Sequence, residues 1–154
     1  MIITNPNQFI NQVKSQSPDF KLLGLDIGDK KIGIGMVNSI VLVPMPFSIL
    51  VRTNIKKDIS AIKKLASDQR INGIVVGLPF QMDGQEGEQA QKVRSFITKL
   101  AKQVDLPIIF EDERMTTKIA NTMLGQGGVN RKQRALVDDQ VSAQLILASF
   151  LKRI

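Results

Sequence analysis

The chain has 154 residues and a mass of 17.1 kDa, enough for one domain with a hydrophobic core and no need of staples. It contains neither cysteine nor histidine, which excludes disulfides, thiolate nucleophiles, zinc fingers, Ser-His-Asp triads and imidazole acid–base chemistry. Its 21 Lys and Arg against 14 Asp and Glu give a net charge of +7 and a pI near 9.9, a balance suited to a polyanionic partner.

Residues 1–20 read as a polar N-terminal extension with one short helix over 6–14, and residues 21–154 as a single domain. Three apolar runs follow at 21–28 (KLLGLDIG), 31–37 (KIGIGMV) and 41–50 (VLVPMPFSIL), joined by the short Gly, Asn and Ser connections of a meander. Pro44 and Pro46 make the third an edge or bulged strand, because proline cannot donate a ladder hydrogen bond. Ile55, Ile59, Ile62 and Leu65 recur at helical spacing with lysines between them, which predicts a helix over 55–70. A wholly apolar strand at 73–77 (GIVVG) leads into a loop rich in Gly, Asp and Glu at 78–87, then a helix over 88–104. A fifth strand is expected at 106–110 (LPIIF), and two helices, near 116–124 and 137–152, flank a basic loop. The order predicts an α/β fold: a five-stranded mixed sheet, with a three-stranded antiparallel meander, two parallel strands and helices on both faces. No apolar run approaches the roughly 18 residues of a membrane span, and no segment reads as a signal peptide, so a cytoplasmic protein is expected.

Three places put carboxylates at the ends of buried elements. Asp26 lies at the end of the first strand, Glu111, Asp112 and Glu113 follow the fifth, and Asp138 and Asp139 open the last helix. Burying such groups costs several kcal/mol unless they are paired or bind a metal. Carboxylates gathered from three distant segments therefore call for a divalent cation, and oxygen-only ligation points to Mg²⁺ or Mn²⁺. Each taken alone has a plainer reading: an Asx turn at Asp26, a helix cap at Asp138 or Asp139, a solvated ion pair with Arg114. Strand alternation puts Glu111 and Glu113 on one face and Asp112 on the other. Spacing does not choose between Asp138 and Asp139, since the helix is apolar on both of the faces they share.

Four linked stretches resemble the YqgF/RuvX family of RNase H-like nucleases: DIGDKKIG, VVGLPFQMDGQEGEQAQKVRSF, DERMTT and GGVNRKQRALVDDQVSAQLIL. They fall in the family's order and spacing over residues 22–151, outside which the first 20 residues lie. Family members are described as pre-16S rRNA nucleases and, in an older description, as Holliday junction resolvases. The resemblance implies an RNase H-like fold and a catalytic triad of Asp26, Glu113 and Asp139, with Asp138 as a possible further ligand. It further implies hydrolysis of phosphodiester bonds with two metal ions, Mg²⁺ or Mn²⁺. Two departures stand out: Lys31 replaces the family's usual Arg, and Val37-Asn38 replace a Ser-Asp pair.

Lys30, in the turn after Gly28, is the lysine best placed to assist electrostatically, with Lys31 beside it. From 114 to 134 the chain carries five basic residues and no acid. Of these Arg114, Arg131, Lys132 and Arg134 are expected to grip phosphates. The expected substrate is structured RNA, the 5′ end of pre-16S rRNA, or alternatively branched DNA such as a four-way junction, acted on by a monomer or homodimer. Two other classes are a catalytically silent nucleic-acid-binding module and an actin-like nucleotide binder. The second is disfavoured by length, because such proteins clamp a nucleotide between two domains of this kind.

Overall fold

The computed structural model describes residues 1–80, 84–113 and 131–154, the last stretch with side chains from 141 onward. In chain order the elements are β1 (Ile2–Ile3), α1 (Pro6–Gln16), β2 (Lys21–Ile27), β3 (Lys31–Asn38), β4 (Met45–Val51) and α2 (Ile55–Asp68). After them come β5 (Gly73–Leu78), α3 (Glu88–Ala101), β6 (Ile108–Asp112) and α4 (Arg131–Leu151). The strands form one sheet in the order β1-β6-β5-β2-β3-β4, parallel across β1, β6, β5 and β2 and antiparallel from β2 to β4.

The sheet is mixed and clad with helices on both faces, as the element order predicts. It has six strands rather than five. The sixth is β1, whose two residues pair with Ile108 and Ile109 of β6 and are too few to carry a recognisable period. Behind it, Asn5 caps α1 by accepting a hydrogen bond from the Gln8 amide, Pro6 opens the helix, and Phe9, Ile10 and Val13 are buried. Residues 1–20 thus contribute a strand and a helix to the main core. β4 is the edge strand that its prolines demand, and the ladder to β3 shifts register between Ile34 and Gly35, opposite Ser48 and Pro46.

Period-two alternation divides the core. Leu23, Leu25 and Ile27 of β2 face α2 and α3, packing with Ile59, Ile62 and Val93. Leu22, Gly24 and Asp26 face the other way, where Leu22 packs with Phe9 of α1 and with Leu147 and Phe150 of α4. A Cβ on Gly24 would lie 2.7 Å from Leu147 Cγ and 2.8 Å from the Ala143 carbonyl oxygen, so only glycine lets α4 rest directly on β2.

Two boundaries differ from the expected ones. β6 runs on to Asp112 because Glu111 and Asp112 continue the ladder opposite Gly77 and Leu78, so these two acids lie in the strand and not beyond it. α4 begins at Arg131, so Arg131, Lys132 and Arg134 belong to its first turns and not to a loop. The helix expected near 116–124 lies outside the described residues.

Candidate active site

Asp26 and Glu113 come together from opposite sides of β5. Asp26 is the sixth residue of β2, and Gly77 of β5, one residue past the partner of Leu25, lies beside it. Glu113 follows the last residue of β6. A Cβ built on Gly77 would fall 2.6 Å from Glu113 Oε1, 2.8 Å from Glu113 Cγ and 2.5 Å from Ile146 Cδ1. The Glu113 side chain therefore lies back across the bare backbone of Gly77 toward Asp26. There the two carboxyl groups share a hydrogen bond. Burial first, and then the hydrogen bond and charge of Asp26, push the Glu113 carboxyl up to about 9. Such a pair cannot ionise fully without a compensating positive charge.

The turn after β2 brings lysines to the same place. The Gly28 amide donates to the Lys31 carbonyl (2.9 Å), closing a tight turn. A cavity of about 290 Å³ is lined by Asp26, Gly28, Lys30, Lys31, Gly33 and Ile49. Lys30 and Lys31 thus stand where the sequence puts them, beside the first carboxylate. The turn is held from behind by Arg52, whose Nη1 donates to the Gly28 carbonyl (2.9 Å) and whose Nε donates to Asp58 Oδ2 (3.1 Å). Asp58 is buried in the first turn of α2 and also accepts from the Thr53 amide (3.0 Å). The Arg52 guanidinium also stacks 5.0 Å from the centre of the Phe96 ring.

Glu111 shares the face of Glu113, as alternation requires, but has another task. It is 1% exposed and accepts from Arg153 Nη1 at 2.7 Å, with its second oxygen unpartnered. Burial raises its pKa against the lowering effect of Arg153. In the acidic loop, Glu86 is ion-paired with Arg94, whose guanidinium lies 4.9 Å from the Phe110 ring centre. Asn38, at a position where the family has a carboxylate, caps the β3–β4 turn by accepting from the Ile40 and Val41 amides.

Arg114 and the side chains of Arg131, Lys132, Arg134, Asp138 and Asp139 lie outside the described residues. Asp139 is in α4, one turn before Ala143, whose carbonyl rests on Gly24, two residues from Asp26. Sequence reasoning passes over Gly77 and Arg52. A glycine ending an apolar strand does signal close approach of another group; nothing local distinguishes Arg52 from other surface cations. Among the described residues, no helix is long and apolar enough to cross a membrane.

Residues 20–153 match the family model described as "RuvX: Holliday junction resolvase". A protein of Orientia tsutsugamushi named "Putative pre-16S rRNA nuclease" is 41% identical over 99% of this chain and 95% of its own length. A protein of the same name from Rickettsia rickettsii is 37% identical over 100% of this chain and 98% of its own. Among solved structures, Thermus thermophilus RuvC in complex with a Holliday junction substrate superposes with a TM-score of 0.55 at 15% identity, covering 87% of this chain and 96% of that one. That likeness is one of fold, and it is the RNase H-like fold expected from the motifs.

Proposed function

The chain belongs to the RuvX family, and on that premise we propose that it is a divalent-metal-dependent endonuclease that hydrolyses phosphodiester bonds at the 5′ end of pre-16S rRNA. One observation carries the chemistry: two carboxylates from distant strands share one hydrogen bond, with Glu113 held protonated far above its ordinary range. The names of the relatives at 37–41% identity support the substrate, and the net charge of +7 suits RNA. A place in the cytoplasm, with the precursor ribosome, follows from that substrate.

The donor set fits hard cations. It is all oxygen, in a chain without histidine or cysteine, and the proton held between Asp26 and Glu113 sits where positive charge is missing. Asp26, Glu113 and Asp139 would hold the metal, with Asp138 adjacent. Two such ions, when bound, supply a lowered water pKa for attack on phosphorus and charge neutralisation at the leaving 3′-oxygen. The chain's own residues do the rest. The carboxyl pair releases its proton before both groups can act as ligands, so loading strengthens as pH rises. Lys30 and Lys31, across the cavity from β6, hold the scissile phosphate, and Arg52 keeps their turn in place. Arg114, Arg131, Lys132 and Arg134 contact the flanking phosphates, the last three from the first turns of α4.

Asp26→Asn and Glu113→Gln are the test, assayed on a structured pre-16S fragment with Mg²⁺ or Mn²⁺ and paired with RNA-binding measurements. Both variants should bind RNA as the parent does and lose cleavage by at least about 10²-fold, the scale of losing a group that stabilises the transition state. Full cleavage by both would overturn the site. The family model's description favours a second substrate, the four-way DNA junction; faster cleavage of a junction than of the RNA fragment would transfer the assignment to it.

A further inference from the structure

The most anomalous surface lies away from the carboxylates. Residues 40–51 (IVLVPMPFSILV) contain no charge in a chain that is 23% charged, and most of the stretch is exposed: Ile40 is 76% accessible, Val51 68%, Met45 56% and Phe47 42%. The segment is the β3–β4 turn plus β4, which ends the sheet among the described residues. Edge strands ordinarily carry charges that deter pairing; this one carries none. It is also presented already ordered. Asn38 Oδ1 holds the Ile40 and Val41 amides, and Gln144 Nε2 donates to the Pro44 carbonyl (2.9 Å), so docking here costs little ordering entropy.

We propose that β4 and its turn form a homodimer interface in which two copies of the chain pair their β4 edges antiparallel about a twofold axis. Three features favour a second copy as the occupant. First, the Arg52 amide donates to the Lys30 carbonyl, so alternation turns the amides and carbonyls of Val51 and Ile49 outward. An antiparallel edge of this kind is complementary to itself. Second, the apolar side chains of the stretch expose on the order of 700 Å² per copy, close to the roughly 800 Å² per partner of a standard stable interface. Third, a chain of charge +7 repels its copy across most of its surface, and this uncharged stretch is where two copies approach without that penalty.

The pairing has a consequence for the carboxylate site. An antiparallel edge-to-edge twofold stands perpendicular to the sheet, so both copies turn the Asp26 face to the same side. Five strand spacings separate one β2 from the other, about 24 Å. Ile49 is shared by the interface strand and the Asp26 cavity, so the two clefts would flank the axis and face one nucleic acid together.

Sedimentation equilibrium of the full chain between 1 and about 100 μM, the range of standard-size interfaces, tests this. The expected mass is twice 17.1 kDa. Phe47→Lys and, separately, Val51→Lys should each give a folded monomer with an unchanged melting temperature, while Ile154→Lys, at an exposed apolar residue elsewhere, should remain dimeric. Because the chain has no cysteine, a Ser48→Cys chain takes a single nitroxide. Paired labels should lie under about 20 Å apart if the strands are adjacent. A parent chain that stays monomeric at the highest concentration overturns the proposal and leaves the edge to a strand of another protein. So does a dimer indifferent to both lysines or with distant labels.

Discussion

Gly77→Ala is the sharpest perturbation of the carboxylate pair, because it adds one methyl group and no charge. The new Cβ would meet Glu113 Oε1 at 2.6 Å and Ile146 Cδ1 at 2.5 Å, about 1 Å inside ordinary contact. Both obstructing atoms are the far ends of flexible side chains, so each can swing away, and the stability cost should sit at the low end of overpacking, about 1 kcal/mol. For a chain of this size that is a fall of about 2–4 °C in melting temperature. The same 1 Å displacement takes the Glu113 carboxylate away from Asp26, and errors of that size cost about 10²-fold in rate. Gly24→Ala is the control with the opposite signature. Its Cβ meets the Ala143 carbonyl at 2.8 Å, a backbone atom that cannot rotate aside, so the cost should rise toward 3 kcal/mol with most activity per folded molecule retained. Urea unfolding and single-turnover cleavage of a structured RNA give both quantities. Were Gly77→Ala to cleave at the parent rate, the Glu113 carboxylate would not be needed where the structure puts it.

The raised Glu113 pKa makes metal-free stability depend on pH. Its folded value near 9 stands above the unfolded 4.5, so the folded chain holds the extra proton between these values. The stabilisation is complete below pH 4.5 and is lost as pH rises through 9, at no more than about 1.4 kcal/mol per unit. Glu111, raised in the same direction, adds to the slope; Glu113→Gln should flatten most of it in chelated urea titrations, and a parent profile already flat from pH 5 to 9 would refute the buried pair. Asp58→Ala should destabilise by about 2–3 kcal/mol, below the full 3–5 for a wholly buried pair because Arg52 keeps 19% of its side chain in solvent. It should also weaken RNA binding at the Lys30 turn, read by fluorescence anisotropy; unchanged affinity would show that Arg52 does not hold that turn for the phosphate.

What the sequence discloses and what it conceals divide along physical lines. That Asp26 and Glu113 share a face follows from period-two alternation in β2 and β6, a local rule that needs no knowledge of the partner strand. Alternation treats Glu111 and Glu113 alike, however. Only a contact across 42 residues, the Arg153 guanidinium on Glu111, commits one of them elsewhere. Arg52 is concealed for the same reason, since its importance lies in meeting Gly28, Asp58 and Phe96 at once. The start of α4 is misread because a basic run after Gly127-Gly128 has the composition of a loop, although Arg, Lys, Gln, Ala and Leu are all good helix formers. Residues 41–50 present the deepest ambiguity. Their hydrophobicity signals a strand that belongs out of water, and their prolines place it at the sheet edge; both hold. Hydrophobicity cannot say whether the covering surface belongs to the same chain. The fold leaves that stretch bare on an ordered edge, so the apolar signal that elsewhere marks the core here marks a surface still to be covered.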